Sequence, residues 1–498
     1  MIWSRRRWLG AAGAAPLAAC SGLGNDSTPP QTSESSTVKL PRIHRVSTPD
    51  NVRAHLVQDR GAPIVSLAVS VPAGSRHEPH GQAGLASVSA HMLREGLSGG
   101  SRAQAIVRYA DHGASPVAYA TPELAVLQCT VHRDDAPAVL KLMVANMREA
   151  SMSDTAFEDV RREHVQQLRD AASEPIQAAG TGLLLAVHGV EPPSGLLPLG
   201  TVPSLRSLGA EDVRAWHEQR IQGARLRVSI AGDVSASEAT DWVASAAQDW
   251  TPPANTATER DDSASPPTDG RGPQAITIPW PRSPQAILAV AGVPEPVDYY
   301  EAQVHALATN VVRGLLTSDL RHRLRATYAV RSASWFTKRG PMTYLATKVD
   351  PEDIGRAAQR AKTLLMLQQQ DIARLDDYLA VVRRAEGTLL MDRFHGSEQA
   401  LSALLTLAEY DLPADYPERL LETVQGIRPK DVADVLQHAY HPDRVRFCIV
   451  GDDETLEHAR SVLGCEDKLC TPAALVGADR APDVTPSEAD SDAEKSPG

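Results

Sequence analysis

Apolar residues alternate with small or polar ones in short runs along this chain and recur at helical spacing in longer runs. Ile64 to Val71 (I-V-S-L-A-V-S-V) alternates and predicts a strand. Ile287 to Gly292 (I-L-A-V-A-G) predicts a strand that opens a second sheet, and Asp298 to Leu315 predicts a long amphipathic helix. The pattern therefore combines strands and helices in both parts of the chain.

An internal repeat links the two parts. Residues 210–233 align without a gap to residues 429–452, at an offset of 219, and seven of the 24 positions are identical. The identical pairs are Asp212/Asp431, Val213/Val432, Arg225/Arg444, Arg227/Arg446, Ile230/Ile449, Gly232/Gly451 and Asp233/Asp452. Each copy predicts a helix, a short turn, an alternating strand and a Gly-Asp end. This duplication predicts two similar halves.

Length and composition set the boundaries of those halves. The 498 residues, 42% of them hydrophobic, suffice for two cores of roughly 200 residues each. We expect a first domain over 39–250 and a second over 274–464. The segment 251–273 holds five prolines among polar residues and predicts an extended linker, and 465–498 predicts a disordered acidic tail.

The amino terminus predicts export and a lipid anchor. Ser4-Arg5-Arg6-Arg7-Trp8-Leu9 resembles a twin-arginine signal, and the apolar run to Ala19 is too short to span a membrane. Leu17-Ala18-Ala19-Cys20 resembles a bacterial lipobox, so residues 1–20 predict a signal peptide and Cys20 the lipidated residue. Residues 21–38 predict a flexible tether. Export and lipidation together predict a location on the periplasmic side of the cell envelope. An ordinary cysteine in a cleaved signal peptide is the alternative for Cys20.

Net charge argues against nucleic acid as a partner, and the cysteine positions predict buried thiols. The formal charge is −12, from 50 basic and 62 acidic residues, and the sequence has no nucleic-acid motif, so nucleic acid is not an expected partner. Cys129 and Cys448 lie in apolar strands and predict buried thiols. Cys465 and Cys470 are close enough in sequence for a disulfide, although spacing alone does not establish one.

A dense motif lies between Gly84 and Gly96, which reads G-L-A-S-V-S-A-H-M-L-R-E-G. It resembles the signature G-L-A-H-x-x-E-H-M-L-x-x-G of the pitrilysin/insulinase metallopeptidases, which include the mitochondrial processing peptidases. The matching positions are Gly84, Leu85, Ala86, His91, Met92, Leu93 and Gly96. The resemblance implies an α+β fold in which two homologous domains, each a mixed sheet with helices on one face, form a clamshell.

The same resemblance shows what has been lost. In that family H-x-x-E-H holds Zn²⁺ between two imidazoles one helical turn apart, and its glutamate activates the bound water. Here Ser87 and Ala90 stand at the first histidine and glutamate positions, and His91 remains. Glu163 is the nearest match to the third ligand, a glutamate on a later helix. The prediction is a degenerate, non-catalytic member without bound metal.

Two other segments of the family pattern are retained in the first half, and one position is changed. Gly74-Ser75-Arg76-His77-Glu78 is similar to the G-S-R-x-E turn, and Leu199-Gly200-Thr201 to the L-G-T segment. In the stretch Gly113–Ala120, Val117 stands at the position of an asparagine that helps hold the substrate backbone.

The second half retains Arg321 and Tyr328 in L-R-H-R-L-R-A-T-Y-A-V, which resembles the family signature L-R-x-x-x-x-x-x-Y. The resemblance implies that this pair reaches toward the zinc, where the phenol assists the developing oxyanion and the guanidinium holds substrate carbonyls. Alternatively, Arg321 belongs with Arg323 and Arg325 to a solvated helix face, and Tyr328 only begins a strand.

Two further patterns resemble catalytic sites, one a serine nucleophile and the other a zinc site. Gly96-Leu97-Ser98-Gly99-Gly100 satisfies G-x-S-x-G, but a helix precedes it and a glycine loop follows, which is not the context of a nucleophile elbow. His77 and His80 together with His91 and either Glu163 or His164 form the alternative of a rebuilt zinc site.

Three functions follow from these patterns. The favoured one is a non-catalytic subunit of an envelope metallopeptidase, supplying Arg321 and Tyr328 in trans to a partner of the same family that carries the zinc, as a heterodimer acting on peptides or unfolded segments. The alternatives are an active zinc endopeptidase with the rebuilt ligand set, and a peptide-binding or scaffold lipoprotein without a protease partner.

Overall fold

The computed structural model describes residues 40–48, 52–96, 100–189, 198–222, 224–250, 272–293, 297–337, 340–367, 372–464 and 467–477. The strands in these residues are β1 (Ile43–Val46), β2 (Val52–Gln58), β3 (Ile64–Val71), β4 (Val117–Ala120), β5 (Ala125–His132), β6 (Leu226–Gly232), β7 (Ala275–Pro279), β8 (Ala286–Ala291), β9 (Val330–Thr337), β10 (Gly340–Val349), β11 (Arg446–Gly451) and β12 (Asp467–Leu469).

The helices in the same residues are α1 (Leu85–Met92), α2 (Arg102–Ala110), α3 (Ala136–Glu149), α4 (Asp154–Ala172), α5 (Pro175–His188), α6 (Val202–Ser207), α7 (Ala210–Trp216), α8 (Ala236–Ala246), α9 (Tyr299–Thr317), α10 (Ile354–Leu367), α11 (Ile372–Asp392), α12 (Ser397–Tyr410), α13 (Tyr416–Gly426), α14 (Pro429–Ala439), α15 (Asp453–Leu463) and α16 (Pro472–Leu475). Two π-helical turns, His217–Ile221 and Ser318–Arg323, extend α7 and α9.

The strands form two sheets that share the order and direction of five equivalent strands and differ in the first edge strand, β1 in one and β12 in the other, which confirms the α+β class. The orders are β1-β2-β6-β3-β5-β4 and β12-β7-β11-β8-β10-β9. In each sheet one central pair is parallel, β2 with β6 and β7 with β11, and the next three pairs are antiparallel. The repeated sequence places β6 and β11 at equivalent positions, so the duplication is structural as well as sequential.

The two halves exchange equivalent helices. Helix α5 of the first half packs on the second sheet, where Leu183 and Leu184 share a core with Ile276, Ile278 and Ile287. Helix α12 of the second half packs on the first sheet, against β2, β3 and β6. The central strands β8 and β11 are buried at every position and β3 at all but its first, so each sheet needs cover on both faces. In each sheet, helices of the same half cover one face, as expected. The helix exchanged from the other half covers the opposite face.

Polar contacts fix α12 in place. The Ser66 hydroxyl on β3 donates to the Ser397 hydroxyl at the start of α12 at 2.9 Å. At the other end, the Arg227 guanidinium on β6 donates to the Ala408 carbonyl and pairs with Asp411 at 3.1 Å. These bonds satisfy polar groups that the exchange buries, so the exchanged helix has a defined register.

The expectation of disorder from residue 465 onward is wrong for 467–477. Strand β12 pairs in parallel with β7, and the Cys470 amide donates to the Thr277 carbonyl at 2.9 Å. The Val202 amide of the first half donates to the Val476 carbonyl at 2.8 Å. Buried Leu475 and Val476 supply the apolar contacts that the acidic composition of the tail concealed.

Several predictions lie outside the described residues. These are the signal peptide with Cys20, the tether, the linker up to residue 271, Ser98, Cys465 and the tail after residue 477. Cys129 and Cys448 are buried, as predicted. Within the described part of the chain, no helix is long and apolar enough to cross a bilayer.

The exchanged packing makes Gly182 on α5 a sensitive position. A Cβ there would lie 2.7 Å from the Cys448 sulfur and 3.1 Å from Ile278 Cδ1. We expect Gly182→Ala to lower the free energy of unfolding by about 1–3 kcal/mol through overpacking, despite alanine's better helix propensity. Gly387→Ala on α11, where a Cβ meets nothing within 4 Å, is the matched control and should stabilise by up to ~1 kcal/mol. Urea denaturation of both variants measures this, and equal effects would contradict the packing argument.

Candidate functional site

The helix that carries the degenerate motif, α1, begins at a glycine held by a buried carboxyl group. Gly84 has a φ of +96°, which favours glycine. The Glu78 Oε1 atom accepts hydrogen bonds from the Gly84 amide at 3.0 Å and from the Ala86 amide at 2.8 Å. Burial raises the pKa of Glu78 to about 8, and its Oε2 atom is buried without a partner among the described residues. Glu78 therefore caps α1 as a mostly neutral acid at pH 7.

The L-G-T segment packs directly on this helix start. A Cβ at Gly84 would lie 2.9 Å from the Leu199 carbonyl oxygen, and one at Gly200 would lie 2.2 Å from the Ala83 carbonyl oxygen. The Ser204 hydroxyl at the start of α6 donates to that same Ala83 carbonyl at 2.7 Å. Both glycines are therefore required by close backbone contact, independently of any metal.

Two motif residues, Ser87 and His91, meet His164 of α4 in the core. The Ser87 hydroxyl lies 3.0 Å from Nε2 of His164, on α4. The imidazoles of His91 and His164 contact edge to face, with ring centroids 4.5 Å apart. Each histidine donates from Nδ1 to a carbonyl one turn earlier at 2.9 Å, His91 to Ser87 and His164 to Val160. Because these carbonyls only accept, His164 Nε2 is the acceptor for the Ser87 hydroxyl.

On α4, His164 rather than Glu163 faces the motif on α1. The buried face of this helix carries Phe157, Val160, His164 and Leu168, so His164 points at Ser87. Glu163 is one residue away and rotated off that face; its side chain is 45% exposed and lies 3.7 Å from Arg94 and 3.6 Å from Arg102. The spacing of Phe157, Val160 and Leu168 in the sequence is the signal that identifies position 164 as inward-facing.

These residues do not fit a catalytic zinc site. The one lone pair of His164 at Nε2 accepts from Ser87, Ala90 has no proton acceptor, and Glu163 points away. On the edge strand β4, Val117 is half-buried where the family has an amide side chain. The Ser87–His164 contact has the geometry of a nucleophile and base, but Ser87 is 2% exposed and His164 is fully buried, so no substrate can reach the hydroxyl. The cluster is a hydrogen-bonded core.

Burial also keeps the two histidines neutral. It lowers the pKa of His91 to about 3, with a further contribution from His164, and lowers the pKa of His164 as well. Only 8% of His91 is exposed. Neutral imidazoles suit the observed bonds, since each ring then has one donor and one acceptor nitrogen.

The second candidate pair, Arg321 and Tyr328, lies on the surface. Arg321 belongs to the π-helical turn Ser318–Arg323, and Tyr328 precedes β9. The guanidinium carbon of Arg321 lies 4.8 Å from the centroid of the Tyr328 ring, within the range of a cation–π contact. Tyr328 is 82% exposed, a high value for a large aromatic residue. The pair is thus assembled and open to solvent.

Buried contacts hold the backbone on both sides of this pair. Asp319 is buried and pairs with Arg360 of α10, and with Arg323 at 3.2 Å. Arg325 has a φ of +56°, which ends the turn. Next to the tyrosine, the Thr327 hydroxyl donates to the Lys348 carbonyl at 2.7 Å. The exposed pair therefore stands on a fixed turn.

The residues of the rebuilt zinc site do not converge. His80 is exposed in the loop before α1, His77 lies half-buried in a 3-10 turn, and His91 and His164 face each other in the core. Among the residues that the structure describes, no group of three or more His, Cys, Asp or Glu side chains could hold a metal ion.

Comparison with family models gives two matches. Residues 53–187 match the model described as insulinase, peptidase family M16. Residues 207–374 match the model described as the peptidase M16 inactive domain. A sequence search of the curated proteins finds no match.

Solved structures with the same fold come from several bacteria. A peptidase M16 inactive domain from Pseudomonas fluorescens is 19% identical with a TM-score of 0.67, covering 82% of this chain and 98% of that one. A protease from Helicobacter pylori is 12% identical with a TM-score of 0.70, covering 83% and 100%. The first half of the periplasmic protease PqqL from Escherichia coli is 16% identical with a TM-score of 0.66, covering 89% and 98%. Against the longer PqqL structure, this chain spans 51% of the length. At these identities the likeness establishes the fold.

Removing the helix cap should destabilise the protein. We expect Glu78→Ala to lower the free energy of unfolding by about 1–2 kcal/mol, because the Gly84 and Ala86 amides lose their acceptor. Glu78→Gln keeps the Oε1 acceptor and imitates the neutral acid, so its stability should stay within about 0.5 kcal/mol of the wild type at pH 7. Denaturant titration measures both variants, and equal losses would show that the amide bonds contribute nothing.

The buried histidines should make stability depend on pH. A folded pKa below the unfolded value of 6.5 means that the unfolded chain binds more protons, so stability falls as pH drops below 6.5. For His91 alone the loss between pH 7 and pH 5 is about 2 kcal/mol. His91→Asn, which keeps a donor for the Ser87 carbonyl, should remove that part of the pH dependence. Denaturant titrations of both proteins across this range measure it; parallel pH profiles would refute the assignment.

Proposed function

Because the chain belongs to the insulinase family, peptidase family M16, we propose that it is the non-catalytic subunit of a bacterial envelope metallopeptidase. In this role it supplies Arg321 and Tyr328 to a partner subunit of the same family that carries the zinc. The observation that carries the proposal is the contrast between the two positions. The motif on α1 is closed by internal hydrogen bonds, whereas the Arg321–Tyr328 pair is assembled and exposed.

The chemistry of the pair suits a contribution in trans. A phenol donates a hydrogen bond to a developing oxyanion without needing a metal of its own, and a guanidinium binds peptide carbonyls through several N–H groups. The stack on Arg321 orients the phenol before any partner binds, which reduces the entropy lost on assembly. The Arg321–Tyr328 pair would complete the active site of a partner that lacks these two side chains.

The proposed location is the periplasmic side of the envelope. Export and lipidation at Cys20 rest on the sequence of the first 20 residues. The naming of PqqL as a periplasmic protease supports export of this chain by analogy of fold. The proposed substrates are peptides or unfolded segments, which bind such folds as added strands.

The test is co-expression with a member of the same family that carries an intact H-x-x-E-H motif. Tyr328→Phe removes only the hydroxyl and keeps the ring over which Arg321 lies. We expect kcat of the pair to fall by about 10²–10³-fold with little change in KM, because the lost donor acts on the transition state. Peptide hydrolysis with purified subunits measures this.

Tyr378→Phe on α11 is the matched control, because this half-buried ring lies against Gly314 of α9. It should leave kcat unchanged. An unchanged rate with Tyr328→Phe would exclude the contribution in trans. Equimolar zinc together with peptidase activity in the isolated wild-type chain would overturn the proposal in favour of an active enzyme.

A further inference from the structure

The hairpin that follows Tyr328 belongs to a strongly basic part of an acidic protein. Residues 320–349 contain seven Arg or Lys and no Asp or Glu, although the whole chain carries a net charge of −12. The nearest acidic neighbours along the chain are Asp319, which is buried against Arg360, and Asp350 just past the end of β10. The positive charge is therefore concentrated around the exposed pair.

Register places two of these cations side by side. On the β9–β10 ladder Arg331 pairs with Ala346, so Lys348, two residues further on, is the diagonal neighbour of Arg331 on the same face of the sheet. Both side chains are exposed. Like charges at adjacent positions repel each other, and an anion between them relieves that repulsion.

Strand β9 also offers backbone for pairing. Among the residues that the structure describes, it is the last strand of its sheet, and β10 is the strand that pairs with it. The Phe336 carbonyl points away from β10, because it accepts a hydrogen bond from the Tyr410 hydroxyl at 2.8 Å. Since backbone orientation alternates along an antiparallel ladder, Ser332 and Ser334 also direct their amide and carbonyl groups to the open side.

We propose that the edge of β9 at Ser332 and Ser334, with Arg331 and Lys348 on its exposed face, binds extended peptide segments that carry acidic side chains. The strand edge supplies main-chain hydrogen bonds, and the two cations select glutamate or aspartate at alternate positions of the bound segment. This inference rests on the proposed function, because the segment would lie next to Arg321 and Tyr328. It adds the class of substrate that the site prefers.

The test is fluorescence anisotropy on the isolated full chain. The probes are a labelled extended peptide with alternating Val and Glu, and the same peptide with Lys in place of Glu. We expect the acidic peptide to bind and the basic one not to bind. The double variant Arg331→Gln/Lys348→Gln should weaken binding of the acidic peptide by about fivefold or more, with a smaller salt dependence.

The control is the double variant Lys141→Gln/Arg162→Gln, which removes the same charge from exposed positions on α3 and α4. Its affinity for the acidic peptide should match the wild type. Equal affinity for the two peptides, or equal losses in the two double variants, would overturn the proposal. Binding that appears only after residues 478–498 are removed would overturn it in favour of the chain's own acidic tail as the occupant.

The two proposals fail separately. Binding is measured without the zinc-bearing subunit, so a negative result rejects the substrate class and leaves the effect of Tyr328→Phe on joint activity to be judged alone. Conversely, an acidic peptide that binds β9 while Tyr328→Phe leaves kcat unchanged would support a peptide-binding face without a catalytic contribution.

Discussion

The mutual exchange of α5 and α12 is the constraint on which the rest of the structure depends. In each sheet the central strands are buried on both faces, and a half's own helices cover one face. The second face is covered only when the other half is present. Neither half is therefore a complete hydrophobic unit, and the two sites described above are positioned by a core that belongs to the whole chain.

Local packing explains why so much of the family motif is kept although Ser87 and Ala90 replace a ligand and the base. Gly84 and Gly200 are in backbone contact, Glu78 caps α1, and the segment ending at Val476 adds a further hydrogen bond to the start of α6. Each of these residues has a packing role that is independent of zinc. The positions that changed, Ser87 and Ala90, are those whose family counterparts serve the metal and the water. At the first of these positions the Ser87 hydroxyl now bonds to His164.

The sequence predicted the elements with a strong period and missed those whose partners are distant. The Ile64–Val71 strand, the long helix after Asp298 and the 210–233 repeat follow from alternation and self-similarity, which are local properties. Exchange of α5 could not be predicted, because an apolar helix looks the same whichever sheet it covers. The ordered structure of 467–477 was missed because the acidic residues that follow give the whole segment 465–498 the composition of a disordered tail. Residue type alone favours Glu163 as the residue that faces the motif on α1, whereas the buried face of α4 carries His164.

The changes at Ser87 and Ala90 and the retention of the exposed pair are physically compatible because the two sites have separate local contacts. The Arg321–Tyr328 turn is held by Asp319 with Arg360 and by Thr327 with the end of β10, all within the second half. Ser87 and His91 depend on α4 and the first sheet. Substitution at the metal positions therefore leaves the turn unstrained, since no bond links the two networks directly among the described residues that form them. A duplicated fold can thus keep the exposed Arg321–Tyr328 turn in one half while the motif helix of the other half is part of the core.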